Sequence, residues 1–139
     1  MIEQGGSYRS PSVEHARVSD AMNHAVIACS REAGLKEMGR LMAQHHIHSL
    51  VMPLADPGRW ALVSDIDIAL SAIGGPDATA ADLAVPAAGI SDGATLSRAI
   101  EMMREQRTSH LIVTAAENGP PTGMISALDI AGIVGWGEG

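Results

Sequence analysis

The chain has 139 residues, the size of one ordinary domain, and a formal net charge of −7 with nine scattered Lys and Arg residues. Nucleic-acid binding needs clustered cations, so this charge argues against a nucleic-acid partner. A single cysteine excludes an internal disulfide, and no apolar run approaches membrane-spanning length, so we expect a cytoplasmic protein that has no membrane partner.

The sequence divides into two similar units behind a polar start. Residues 1–17 are polar, and their apolar residues do not recur at a spacing that would give a helix or strand one buried face. This predicts a flexible N-terminal lead-in. The two units span residues 18–75 and 81–136, with a linker at 76–80 and a short tail at 137–139. Each unit is too small to be stable alone, so we expect the two to share a core.

The first unit predicts the order strand, helix, strand, strand, helix. The apolar run Ala25–Cys29 suits a buried strand, and Ser30 after it is a plausible helix cap. The apolar face of the helix that follows is formed by Leu35, Met38, Leu41 and Met42. Two further runs, 47–54 and 60–63, flank a turn signal and predict a hairpin, and a helix starts at Ser64.

The second unit repeats this order. An apolar run at 85–90 predicts a strand, and Ser91 predicts the cap of a helix. The residues at helical spacing are Leu96, Ala99, Ile100 and Met103. One extra residue falls in the second hairpin turn, 117–122, and the last helix runs from about Ser126 to Val134. The sequence therefore predicts an α/β fold of two β-α-β-β-α units.

One motif occurs twice, at 61–67 and at 123–129. Each copy places a serine after apolar residues and an aspartate three positions later, and the copies lie 62 residues apart. Ser-x-x-Asp before an apolar helix is also a capping pattern, which needs no ligand. Capping boxes favour Glu or Gln at the third position, however, so aspartate in both copies leaves a binding role open.

These residues resemble the tandem cystathionine-β-synthase-type (CBS) domain pair, or Bateman module, and the resemblance covers nearly all of 18–136. Its most specific part is the stretch 123–129, which is similar to the family's glycine, apolar, apolar, Ser/Thr, two residues, Asp signature. The resemblance implies two units related by a pseudo-two-fold axis. It also implies clefts between them that bind adenosine, AMP, ADP, ATP or S-adenosylmethionine, no required cofactor, and a homodimer.

The resemblance also implies roles for single residues. In the family the motif aspartate holds the ribose hydroxyls and the Ser/Thr lies near sugar or phosphate, which points to Ser126 with Asp129 and to Ser64 with Asp67. Members that bind phosphate often carry a cation near the start of the second strand. In this chain the residues in that region are histidines, His48 and His110, and histidine is a weaker cation whose charge depends on pH. We therefore expect the ligand to be a nucleoside or a monophosphate more than a triphosphate.

The two copies of the motif differ in ways that favour the second. Ala61, next to the bulky Trp60, stands where the second copy has Gly123, and a Cβ can block close approach of a ligand. We therefore expect Ser126 and Asp129 to be the first candidate for the ligand site, and Ser64 and Asp67 the second.

Other chemistry is weakly indicated. His45, His46 and His48 could ligate a metal, but residues 45 and 46 point to different sides of a helix and no metal motif is present, so we assign no metal site. Cys29 lies in an apolar run, and no acid–base pair is evident, so we assign no catalytic residue.

The sequence therefore predicts a non-catalytic regulatory module for an adenosine-containing ligand, acting on an unidentified protein partner. Two alternatives stay open. One is a structural or dimerisation module with vestigial clefts, and the other is a CBS protein stabilised by a metal.

Overall fold

The computed structural model describes residues 13–56, 58–116 and 119–136, and it has a mixed α/β fold, as predicted. The helices are α1 (Val18–Ala21), α2 (Leu35–His45), α3 (Asp65–Gly74), α4 (Ala80–Leu83), α5 (Leu96–Gln106) and α6 (Ala127–Trp136). The strands are β1 (Ser49–Pro53), β2 (Trp60–Ser64), β3 (Val85–Pro86), β4 (Gly89–Ser91), β5 (His110–Thr114) and β6 (Pro121–Ser126). They form two three-stranded sheets.

The chain folds as two compact units that differ from the two sequence repeats. The first unit holds the described residues of 25–88 and 119–120, and the second unit holds the described residues of 13–24, 89–116 and 121–136. Each repeat begins with a short opening segment, 16–23 or 79–86, which contains α1 or α4. The opening segment of the first repeat lies in the second unit, and that of the second repeat lies in the first unit.

The first unit contains the sheet β1-β2-β3, and its hairpin is confirmed. Strands β1 and β2 pair antiparallel from Ser49 opposite Ser64 to Pro53 opposite Trp60. Gly58 takes a φ of 76° in the turn, which favours glycine. The prediction of a strand at 25–29 is wrong, because in this segment Ala28 makes only an isolated parallel bridge to β1.

The second unit contains the sheet β4-β5-β6. Strand β4 pairs parallel with β5, and β5 pairs antiparallel with β6. The apolar run 85–90, predicted as one strand, is divided between β3 in the first sheet and β4 in the second. The prediction failed because apolar composition does not record which sheet a segment joins, or even that it is buried: Val85 is 61% exposed.

The predicted caps Ser30 and Ser91 are wrong. Helix α2 begins after Gly34, and α5 begins after Thr95, whose hydroxyl accepts a hydrogen bond from Arg98 N–H at 3.1 Å. The residues before each helix instead bind an opening segment. Ala80 N–H donates to the carbonyl of Ala33, and Val18 N–H donates to the carbonyl of Ala94, both at 2.8 Å.

The core is aliphatic and rich in methionine, as the composition suggests. The buried cluster of the first unit consists of Cys29, Ala33, Met38, Met42, Leu50, Met52, Ala61, Val63 and Ala80. The largest side chains of the second unit that are fully shielded from solvent are Val18, Leu96, Leu111, Val113 and Ile125. Val18 and Ala80 show that each opening segment contributes to the core of the unit that holds it.

The predicted lead-in lies mostly outside the described residues, as does the tail 137–139. Of the lead-in, residues 13–17 are described. Ala16 is fully buried and its carbonyl accepts from Leu96 N–H at 3.1 Å, so the packed chain begins earlier than the predicted residue 18. None of the helices in the described ranges has both the length and the apolar composition needed to cross a membrane.

Candidate functional site

The second copy of the duplicated motif lies where β6 ends and α6 begins. Ser126 N–H and Oγ–H both donate to Oδ2 of Asp129, at 2.8 and 3.0 Å. Asp129 N–H in turn donates to Ser126 Oγ at 3.2 Å. This reciprocal arrangement is a complete capping box, so the structural role considered from the sequence is present.

The first copy lies at the equivalent junction of β2 and α3. Ser64 Oγ–H donates to Oδ2 of Asp67 at 2.8 Å, and Asp67 N–H approaches Ser64 Oγ at 3.4 Å. The structure thus brings together each predicted serine–aspartate pair, and it caps a helix of ten residues with each.

Both carboxylates keep capacity for a further partner. Asp67 and Asp129 are half-buried, and within the described residues all their side-chain hydrogen bonds run through Oδ2. Oδ1 of each therefore has both lone pairs available, and an ionised carboxylate accepts about four hydrogen bonds. Capping and binding of a ligand hydroxyl are compatible in this geometry.

The same capping pattern occurs at a third place that the sequence reasoning missed. Thr79 N–H and Oγ1–H donate to Oδ2 of Asp82 at 2.9 and 3.1 Å, at the start of the short helix α4. The signal was visible as Thr-x-x-Asp in the sequence. Asp82 is exposed, whereas Asp67 and Asp129 are half-buried. This difference in exposure distinguishes the cap of α4 from the two candidate sites.

The two predicted histidines do not occupy equivalent positions. The carbonyl of His48 accepts from Asp65 N–H at 2.9 Å, and the carbonyl of Ser109 accepts from Ala127 N–H at 2.8 Å, so His48 corresponds to Ser109. His110 instead stands opposite Ser126 in the β5–β6 pair. His110 is therefore next to the second motif in the sheet.

His48 contacts an acidic residue that the sequence reasoning did not assign to it. Its Nδ1 lies 2.9 Å from Oδ2 of Asp65, the first residue of α3, and both side chains are largely exposed. The second unit has Ala127 in place of Asp65. The first turn of α3 thus carries two carboxylates, Asp65 and Asp67, whereas α6 carries only Asp129.

Gly123 has a packing role that the sequence did not reveal. A Cβ at this position would lie 2.8 Å from the carbonyl oxygen of Asn23 and 3.2 Å from Sδ of Met22. Asn23 and Met124 exchange two backbone hydrogen bonds, at 2.8 and 2.9 Å, which fasten the opening segment to β6. Packing within the unit thus accounts for the glycine.

Each unit also has an open cleft between its two long helices. The cleft of the first unit measures about 560 Å³, and its polar lining is His46, His48 and Asp65. The cleft of the second unit measures about 320 Å³, and its polar lining is Arg104, Thr108 and Ser109. The two clefts lie at equivalent positions in the two repeats, but the first contains the carboxylate of Asp65 next to His48, and the second contains the guanidinium of Arg104.

The residues considered for metal or catalytic chemistry are the histidines around the end of α2 and Cys29. Across residues 13–56, 58–116 and 119–136, no group of three or more His, Cys, Asp or Glu side chains is placed to hold a metal ion. His45 is the last residue of α2, and His46 follows in the left-handed conformation at φ 53°. Burial raises the pKa of the Cys29 thiol, with Glu37 adding to the shift, so the unreactive protonated form is favoured.

One family model matches part of the chain. The family model described as "CBS domain" matches residues 80–135, which include α5, the sheet β4-β5-β6 and the second motif. The similarity to the CBS domain family thus falls on the second sequence repeat. No curated protein sequence matches the chain.

Solved structures show that the fold extends over both repeats. A CBS domain protein from Pyrobaculum aerophilum, solved in complex with AMP, is 24% identical with a TM-score of 0.70, covering 82% of this chain and 89% of its own. The CBS domain pair of protein MJ0100, in complex with 5-methylthioadenosine and S-adenosyl-L-methionine, is 16% identical with a TM-score of 0.73, covering 86% and 96%. Hypoxic Response Protein I, with two coordinated zinc ions, is 23% identical with a TM-score of 0.65, covering 84% and 97%. The chain thus has the fold of a CBS domain pair.

Proposed function

We propose that this chain is a CBS domain protein, and that it is a non-catalytic regulatory module which binds an adenosine-containing ligand at its Ser-x-x-Asp motifs. The observation that carries the proposal is the half-buried carboxylate of Asp129, whose Oδ1 takes no hydrogen bond from the described residues although Oδ2 is fully engaged. Asp67 repeats this arrangement in the first unit.

The chemistry of the second motif suits a ribose. Oδ1 of Asp129 can accept hydrogen bonds from two neighbouring hydroxyls while Oδ2 continues to cap α6. The N-terminus of the same helix favours negative charge, so a phosphate next to the sugar would be stabilised there. His110, opposite Ser126, is the nearby side chain able to carry a positive charge toward such a phosphate.

Relatives with the same fold support this ligand class. The Pyrobaculum protein was solved with AMP and the MJ0100 pair with 5-methylthioadenosine and S-adenosyl-L-methionine. These ligands share an adenosine moiety and differ in the group beyond it. We propose a nucleoside or a monophosphate as the ligand of this chain, because the cations among the predicted site residues are histidines, His48 and His110.

The second motif is the stronger candidate, for a reason of charge. The first turn of α3 carries Asp65 in addition to Asp67, and His48 can neutralise at most one of them. The first turn of α6 carries Asp129 alone. A phosphate at the second motif therefore meets less negative charge, whereas the first motif favours an uncharged nucleoside.

Isothermal titration calorimetry tests the proposal directly. The purified chain is titrated with adenosine, AMP, ATP and S-adenosylmethionine, and we expect saturable heat with adenosine or AMP and weaker binding of ATP. Absence of heat with all four compounds, confirmed by an unchanged melting temperature, would remove the proposal.

The second candidate function is a structural module whose motifs only cap helices. The complete capping box at Ser126 and Asp129 favours it, as does the third box at Thr79 and Asp82. In that case the motif aspartates contribute stability and no ligand binds. A metal-stabilised protein is a further alternative, and it predicts a lower melting temperature after treatment with a chelator.

A regulatory module must transmit the effect of ligand binding to another molecule. We propose that the chain forms a homodimer and acts on a protein partner, because a ligand shifts an equilibrium only by its different affinities for two arrangements. Exposed apolar residues on α3 and α6 support self-association, and a solvent-exposed apolar patch is typical of an interface.

A further inference from the structure

The cleft between α2 and α3 in the first unit is wider than its counterpart in the second unit. Its volume is about 560 Å³, whereas the cleft between α5 and α6 measures about 320 Å³. Gly39 and Ala43 line the first cleft, and the residues at the equivalent positions of the second cleft are Ile100 and Arg104. The smaller side chains of α2 account for the larger volume, which lies well within the range of about 300–1,000 Å³ typical of small-molecule sites.

Gly39 keeps space beside α2 that packing within the chain does not explain. It lies inside a helix of 11 residues, where glycine is less favourable than alanine. A Cβ at this position would meet no atom within 4 Å, so none of its described neighbours requires the glycine. A molecule bound in the cleft would account for it, because a larger side chain at this position would take up part of the same space.

The walls of the cleft are mostly apolar. Met42 is buried, and Ile47 and Ile68 are half-buried. A ligand that covers the exposed parts of Ile47 and Ile68 removes apolar surface from water, and this favours binding. The cleft therefore suits a ligand with an apolar body.

The charge of the cleft comes from Asp65. It is the one carboxylate among the described residues that line the cleft, and these include no Lys or Arg. Its Oδ2 lies 2.9 Å from Nδ1 of His48, and its Oδ1 takes no hydrogen bond from the described part of the chain. An ammonium group carries the opposite charge and donates three hydrogen bonds, which are stronger to a carboxylate than to a neutral acceptor. The net charge of −7 also favours the approach of a cation.

We infer that this cleft binds a small organic ammonium compound, whose apolar body lies against Ile47 and Ile68 and whose amino group lies at Asp65. The second cleft lacks this chemistry. Ala127 stands there at the position of Asp65, and the guanidinium of Arg104 repels a cation. The ligand should therefore bind to the first unit alone.

The inferred site is separate from the features on which the proposed function rests. Ser64 and Asp67 do not line the cleft, so the inference does not depend on adenosine binding. The exposed apolar residues of α3, Ile66, Leu70 and Ile73, do not line it either, so the proposed self-association does not require the cleft.

An NMR titration with three compounds of similar shape tests the inference. Benzylammonium, benzyl alcohol and benzoate share an aromatic ring, and they are positive, neutral and negative in charge. The full chain is labelled with ¹³C at the isoleucine methyl groups, and each compound is added at pH 7.5. Ile47 and Ile68 report on the first cleft, and Ile100 and Ile130 report on the second cleft in the same sample.

We expect benzylammonium to give saturable shifts at Ile47 and Ile68 and much smaller shifts at Ile100 and Ile130. Its dissociation constant should be lower than that of the other two compounds by about fivefold or more, because the charged contact with Asp65 is available to the ammonium group alone.

Two substitutions test the space and the charge separately. Gly39→Ile introduces the residue of the second cleft, and Asp65→Asn removes the charge but keeps the shape of the side chain. Each should raise the dissociation constant of benzylammonium by about fivefold or more. Gly39→Ala, which adds one methyl group, and Asp77→Asn, which removes an exposed carboxylate elsewhere in the first unit, are the matched controls and should bind like the native chain. Circular dichroism checks that every variant is folded.

Several results would overturn the inference. Absence of shifts at Ile47 and Ile68, or equal affinity for benzyl alcohol or benzoate, would show that the cleft does not select an ammonium compound. Unchanged affinity in Asp65→Asn, or in a folded Gly39→Ile variant, would mean that the compound binds elsewhere. An affinity that falls as the protein concentration rises would mean that a second copy of the chain occupies the cleft instead.

Discussion

At the scale of single residues, the motif aspartates combine a cap with a free acceptor. In Asp129 one carboxylate oxygen is held by Ser126, which fixes the orientation of the group, and the other faces no described donor. A site preorganised in this way orders fewer atoms when a ligand binds. The structural role and the binding role therefore support each other, and substitution must be designed to separate them.

Replacing Asp129 with alanine is expected to reduce both stability and ligand affinity. Loss of the cap should lower the free energy of unfolding by about 1 kcal/mol. Loss of a charged acceptor should weaken adenosine binding by about tenfold or more. The matched control is Asp82→Ala, which removes the same hydrogen bonds from Thr79 and should lower stability alone. Calorimetry and urea denaturation measure the two effects. An adenosine affinity that is the same in Asp129→Ala and Asp82→Ala would mean that Asp129 only caps α6 and does not contact the ligand.

The buried thiol of Cys29 makes stability depend on pH in the alkaline range. Burial, followed by the charge of Glu37, raises its pKa from the ordinary value of 9.0, so the folded state retains the proton longer than the unfolded state. This contribution is fully present below the unfolded pKa and is lost as pH rises through the folded pKa.

Urea denaturation between pH 8 and pH 10.5 measures this effect. We expect the free energy of unfolding of the native chain to fall more steeply with pH than that of Cys29→Ala. Identical slopes for the two proteins would show that the thiol titrates alike in both states. Slow modification of the native thiol by a maleimide, and fast modification in urea, would accompany the expected result.

At the scale of elements, the sequence predicted what local pattern can encode. The amphipathic helices α2 and α5, the hairpin of β1 and β2, and the helix starts at Ser64 and Ser126 follow from spacing, turn residues and caps. The predictions of one strand at 85–90 and of helix caps at Ser30 and Ser91 were wrong, because the structure at these positions depends on residues that are distant in the sequence. The opening segments form backbone hydrogen bonds with the loops before α2 and α5, and the two helices begin after Gly34 and Thr95.

The candidate site was partly predictable for the same reason. Ser126 and Asp129 are three residues apart, so a local pattern reveals them together. The roles of His48 and Gly123 depend on contacts across the fold, with Asp65 and with Asn23, which spacing does not show. Whether the predicted residues bind a ligand remains a prediction.

Replacing Gly123 with alanine tests how the opening segment is fastened to β6. The new Cβ would lie 2.8 Å from a backbone oxygen of Asn23, so the strand or the segment must move. Such overpacking typically costs about 1–3 kcal/mol. The matched control is Gly39→Ala in α2, where a Cβ meets no atom within 4 Å and better helix propensity should add about 0.5–1 kcal/mol.

The two midpoints of urea denaturation are compared with that of the native chain. We expect Gly123→Ala to unfold at lower urea and Gly39→Ala at higher urea, with similar slopes. A stable Gly123→Ala variant would mean that the contact between Asn23 and Met124 adapts easily and that the glycine needs another explanation.

At the scale of the whole molecule, a duplicated chain has become asymmetric at its surface while keeping equivalent cores. Val18 and Ala80 are buried alike, and both motifs cap a helix, but the exposed faces of α3 and α6 differ at two bulky positions and in charge. In the homodimer proposed above, two orientations are conceivable, with α3 of one copy against either α6 or α3 of the other copy, and the surface differences make these orientations unequal in energy. A symmetric pair of halves would leave the two dimer orientations equal in energy.

Variants that reverse the charge of Asp65 or Arg104 show which of the two dimer orientations is present in solution. If α3 meets α6, Asp65→Arg alone or Arg104→Asp alone places equal charges together, and we expect dimer dissociation constants to rise about fivefold. The double variant restores opposite charges with their positions exchanged, so its dimer should be as stable as the native one. Raising the salt concentration to 1 M should reduce all these differences, because it shortens the Debye length to about 3 Å.

His48→Ala is the control for the double variant, since Asp65→Arg also removes the contact with His48. If α3 instead meets α3, each reversed residue still meets its own copy, and the single variants should dimerise as the native chain does. Sedimentation equilibrium at low and high salt gives the constants. Single variants that weaken the dimer, together with a double variant that restores it, would be hard to reconcile with any arrangement except α3 against α6.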